Sequence, residues 1–161
     1  MADGAEAAAV VDTAEPAAPA DAAQYNQTVA DALSAHQDAI KPVGELIIRM
    51  EEAASLVTDS AWRTEMESAL QGLDEAGVAL TEFAPPLDTI SAPAVYPLRR
   101  AQKLLQEMGR ETRALAAEWQ RAVVAGDAAA VQSPRSRLHR IATTRHKAMR
   151  QMERARATGP A

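Results

Sequence analysis

The sequence predicts an all-α protein: an antiparallel up-and-down four-helix bundle whose long first helix is kinked at a proline. Three observations carry this. Four stretches repeat apolar residues at alternating steps of three and four, which lays one stripe along one face of each helix. The composition is 47% hydrophobic but only 3% aromatic, rich in Ala and Leu, whereas sheets favour β-branched and aromatic residues. The stretches are separated by short breaks built from helix-stopping and helix-capping residues. A chain of 161 residues suits one domain, here residues 22–157.

Residues 1–21 precede the first stripe and are dominated by Ala, Pro and acids, with five carboxylates and no base. They offer no face to pack, so they read as a flexible acidic tail or linker. A linker would hold the bundle away from something upstream, such as a membrane anchor. The charge pattern does not read as a signal peptide, and no apolar run reaches the ~18–20 residues of a membrane span.

The first helix is expected over residues 22–57. Its seam is Val29, Leu33, His36, Ile40, Val43, Ile47, Met50, Ala54 and Val57. Pro42 removes the amide that would bond the Asp38 carbonyl, and Gly44 follows, so a kink is expected near Pro42. The seam keeps its phase across Pro42, which favours one bent helix over two. Asp59 is the expected N-cap of the second helix, residues 60–83, with seam Trp62, Met66, Ala69, Leu73, Ala76, Leu80 and Phe83. Pro85-Pro86 ends it.

The third helix, residues 93–125, opens at Pro93, and Pro97 either falls in its first turn or delays its start. Its seam runs Leu98, Ala101, Leu105, Met108, Thr112, Leu115, Trp119, Ala122. In Ala125-Gly126-Asp127, Gly126 supplies a positive φ and Asp127 caps the fourth helix, residues 128–157. Pro134 leaves room for a separate first turn there. The last seam is Leu138, Ile141, Thr144 or Arg145, Ala148, Met152 and Ala155.

The Pro85-Pro86 link and the Ala125-Gly126-Asp127 turn give residues 25–157 a resemblance to the uncharacterised extracytoplasmic helical-bundle domains of bacterial lipoproteins. The resemblance implies an all-helical domain in a bacterial cell envelope, with no catalytic residues to carry over. The chain has no cysteine, so it holds no lipidation cysteine, disulfide or thiolate ligand.

Charge is divided along the chain. Residues 1–90 carry 17 acids and 3 bases, and residues 91–161 carry 5 acids and 14 bases. A basic surface on helices 3 and 4, with Arg137, Arg140, Lys147 and Arg150 as its centre, suits a polyanion such as nucleic acid or anionic lipid. No interleaved aromatics for base stacking accompany it. The opposing expectation is that the acidic and basic helix pairs lie side by side and fix helix order through flanking charges.

Three histidines remain. Antiparallel packing places His36 at the height of His139 and His146, so a metal or haem site around His36 is conceivable. His139 and His146, two turns or about 10.5 Å apart along the axis, cannot share one ion. Arginines surround them, which suits no cation. In the seam, Arg145 either pairs with Asp31 or Asp38 or yields the stripe to Thr144 and turns outward.

No nucleophile elbow, Ser-x-x-Lys, Glu-x-x-His or phosphate-binding glycine loop occurs. The expected function is therefore a non-enzymatic module, without a cofactor, for protein interaction or structural support. The first alternative is the polyanion binder and the second the His36 metal or haem bundle. Ala-rich seams also allow mating with a second copy.

Overall fold

Asp21 starts the bundle: its Oδ1 accepts the Gln24 amide at 2.8 Å and caps α1, Ala22–Glu52. The computed structural model describes residues 21–158, so the predicted tail, residues 1–21, lies outside the described residues apart from Asp21, which is the cap of α1. α1 passes through Pro42 as one helix, with the proline on the exposed side.

The first helix is five residues shorter than its seam suggests, ending at Glu52 instead of residue 57. The Ala53 amide closes it on the Arg49 and Met50 carbonyls, and a 3₁₀ turn follows over Ala54–Thr58. The next helix starts at Ser60 in the opposite direction, so the chain must tighten and reverse here. The turn exposes Ala54 yet keeps Val57 in the core.

α2, Ser60–Thr81, is capped by Asp59, whose Oδ2 accepts the Trp62 amide at 2.9 Å. The Pro85-Pro86 connection is tied down by glutamines of α3, Ala92–Ala125: Gln102 Nε2 donates to the Pro85 carbonyl and Gln106 Nε2 to the Phe83 carbonyl. Pro97 lies inside α3 and is buried. Gly126 closes α3 at φ 66°, a left-handed conformation open to glycine without strain.

The expected last helix is divided in two. Asp127 caps α4, Ala128–Gln132, and α5 spans Arg135–Ala157. Pro134 brings no N–H to the Ala130 carbonyl, which Ser133 satisfies from its amide and hydroxyl instead.

The result is an all-α four-helix bundle of α1, α2, α3 and α5, with no strand among the described residues. Helix α3 is its centre, lying closest to α2 and α5, and all of its predicted seam is buried. Trp62 and Trp119 fill the interior, and each indole N–H donates to a carbonyl, of Leu46 at 3.0 Å and of Val131 at 2.8 Å. α2 and α3 touch through glycines. A Cβ on Gly109 would stand 2.5 Å from the Thr81 amide nitrogen and 2.7 Å from the Gly77 carbonyl oxygen.

Candidate functional site

Two cross-helix bonds set the register of α1 against α5. Asn26 Nδ2 donates to the Met152 carbonyl at 3.2 Å, and Arg145 Nη1 to the Leu33 carbonyl at 3.2 Å. His36 therefore does lie at the height of His139 and His146, but the three are not brought together. His36 is buried, with Nε2 2.8 Å from Thr112 Oγ1 on α3, while His139 and His146 are exposed. Burial, reinforced by the Arg145 charge, lowers the His36 pKa to about 4, so the imidazole is neutral at pH 7. Among the described residues, no group of three or more His, Asp or Glu side chains is placed to hold a metal ion.

Thr144, not Arg145, occupies the core stripe of α5. Arg145 is half-buried and reaches the α1 backbone, so neither the Asp31 nor the Asp38 pairing forms. Its guanidinium lies along α1 instead of turning out to solvent.

The basic half divides into two zones. In one zone several arginines pair with carboxylates of the bundle, although Arg110 and Arg121 there are exposed and have no ion pair among the described residues. Arg137 forks onto two carboxylates of α3, with Nη1 2.8 Å from Glu111 and Nη2 2.9 Å from Glu118. Arg140 lies 4.0 Å from Glu111, Arg113 bonds Asp74 of α2 at 3.2 Å, and Arg135 bonds Glu51 of α1 at 3.3 Å. Arg137, expected on a polyanion surface, is thus a bracket between α3 and α5, with its Nε buried. Cross-half pairing is real at Arg113 and Arg135, but Arg137 pairs within the basic half, because α3 supplies its own acids at that height.

Towards the start of α3 the carboxylates stop lining the α3–α5 seam. The Arg140–Glu111 pair fixes the register of these antiparallel helices. One heptad further along α5, Lys147 stands at the height of Leu104, and two heptads along, Arg154 stands at the height of Pro97. By height these two belong to the same end of the bundle as Arg99, Arg100 and Lys103. All five cations are exposed, and none has an ion pair among the described residues. Arg150 is exposed at the same end and equally unpaired. Glu107 and Glu153 are the exposed acids nearest in sequence.

This basic zone also has shape. Tyr96, Arg99, Arg100, Lys103 and Leu104 line a shallow depression of about 290 Å³, and Tyr96 is 64% exposed at its edge. Spacing by three and four along α3 puts these residues on one side of the helix. Of the four residues expected at the centre of a basic surface, Arg137 and Arg140 lie against Glu111, while Lys147 and Arg150 are exposed and have no ion pair among the described residues.

The chain matches no family model, no curated protein and no solved structure. No helix among the described residues is long and apolar enough to cross a membrane.

Proposed function

We propose that this bundle is a binding module, not an enzyme, and that it docks an acidic protein segment on the outer surface of α3 and α5. The observation that carries the reading is the set of five exposed cations, Arg99, Arg100, Lys103, Lys147 and Arg154, which have no ion pair among the described residues. Cations arrayed on two rigid helices are held apart at fixed spacing and attract an anion before contact. The Tyr96–Leu104 depression adds an apolar foothold between them, which suits a peptide carrying both acidic and apolar side chains. A single exposed tyrosine gives no stacking series for single-stranded nucleic acid, and the small apolar foothold favours a peptide over a bilayer.

The test is titration of a fluorescent Glu-rich peptide in about 50 mM salt. Arg100→Glu with Lys103→Glu is expected to weaken binding by about tenfold in low salt, since an exposed ion pair contributes about 0.2–1 kcal/mol and each reversal replaces an attraction with a repulsion. Equal affinity in the double variant would sink this reading. Tighter binding of duplex DNA of matched charge would replace the acidic peptide with a nucleic acid.

A further inference from the structure

We infer that the chain carries its own ligand for this basic surface: the acidic segment 1–20 occupies it in cis and competes with an outside partner. The inference rests on the reading of the α3–α5 surface given above, and three further observations point to it.

The first is where the segment joins. Asp21 caps α1 at the end of the bundle that holds the unpaired cations. Tyr25 OH accepts Gln102 Nε2 at 3.0 Å, and Gln102 immediately precedes Lys103. On the other side Asn26 bonds Met152, two residues before Arg154. Asp21, Asn26, Ser91 and Arg156 also line one cleft of about 370 Å³, so the start of α1, the start of α3 and the end of α5 meet there.

The second is charge. Residues 1–20 contain Asp3, Glu6, Asp12 and Glu15 and no Lys or Arg. Their charge is opposite to that of the α3–α5 surface, whose cations lack carboxylate partners among the described residues.

The third is reach. Glu15 stands six residues before Asp21, a contour of about 20 Å, and Asp12, Glu6 and Asp3 extend further. That matches the width of two packed helices, each about 10 Å across. A tethered segment of this length presents its carboxylates at an effective concentration in the millimolar range, enough for weak charge pairing to compete with a dilute partner. Pairing of this kind is screened by salt, so the occupancy falls as ionic strength rises.

Two measurements on the full chain test this. The variant Asp3→Asn, Glu6→Gln, Asp12→Asn, Glu15→Gln is expected to bind the fluorescent Glu-rich peptide about three- to tenfold more tightly at low salt, the gap closing at high salt. Zero-length carbodiimide coupling, mapped by mass spectrometry, is expected to join Asp12 or Glu15 to Lys103 or Lys147 in preference to Lys41 on α1, at a yield independent of protein concentration. Unchanged affinity in the neutralised variant, or coupling without preference among the three lysines, overturns the cis occupant. Coupling whose yield rises with concentration overturns it in favour of a second copy in trans. These failures are separable from failure of the surface itself, which shows as no loss of peptide binding in Arg100→Glu with Lys103→Glu.

Discussion

Helices α3 and α5 carry cations along their whole shared length, yet its two zones use them in opposite ways. Around Glu111 some guanidiniums meet carboxylates: Arg137 forks across Glu111 and Glu118, and the half-exposed Arg113 crosses to Asp74, while Arg110 stays exposed and unpaired among the described residues. Around Lys103 the same helices leave Arg99, Arg100, Lys103, Lys147 and Arg154 unpaired in the described residues. The difference is which cations pair: Glu107 and Glu153 lie within a turn of the second zone, yet no ion pair forms there among the described residues. A run of arginines is an architectural bracket where the neighbouring helix supplies acids at the right height, and stays free for solvent or a proposed partner where it does not.

The middle zone should then be sensitive in stability and the basic end in binding. The largest effect expected is at the glycine crossing. In Gly109→Ala the added Cβ meets backbone of α2 on two sides, so the helices must separate, at a cost of about 3 kcal/mol. Urea denaturation measures this, and a loss below about 1 kcal/mol would show the crossing to be loose.

Next comes pH. The His36 pKa is lowered from 6.5 to about 4 in the fold, so between those values the unfolded chain binds more protons than the native one. Stability from this group is complete above pH 6.5, declines as pH falls, and is gone below about 4, a total of about 3 kcal/mol. Removing the imidazole in His36→Gln should flatten that part of the stability curve relative to the wild type. Parallel curves for the two proteins would contradict a neutral buried imidazole.

The smallest effect is the most direct contrast. Arg137→Ala leaves Glu111 and Glu118 facing each other without their shared cation and should cost about 2 kcal/mol. Arg154→Ala, at an exposed unpaired site, should change stability by less than about 0.5 kcal/mol. Acidic-peptide affinity should respond the other way round, falling for Arg154→Ala and holding for Arg137→Ala. Equal behaviour of the two variants in both assays would erase the distinction between the zones.

Much of the fold was legible because it is written in local pattern. The seam of α3 is buried at every predicted position, and Asp59, Gly126 and Asp127 cap where their chemistry says. These features depend on residues three or four apart on one helix, which the sequence shows directly. In α2 the stripe keeps its Met66, Leu73, Leu80 spine but leans to the other side: Leu70 and Gly77 are buried where Ala69 and Ala76 were expected, and Gly77 packs against α3 at Gly109 and Arg113. The site was less legible. Arg137 and Lys147 look alike in sequence, and only α3 distinguishes them.

By itself the sequence determined that four striped helices would form, that Asp59, Gly126 and Asp127 would cap, and that the basic residues would gather on the third and fourth. The tertiary structure alone decided that Thr144 would displace Arg145 from the core, that α2 and α3 would meet through Gly77 and Gly109, and which cations would find carboxylates. The physical reason is range. A stripe or a cap is fixed within a few residues along one helix, whereas an ion pair between helices depends on their relative height and rotation, set by the packing of the whole core.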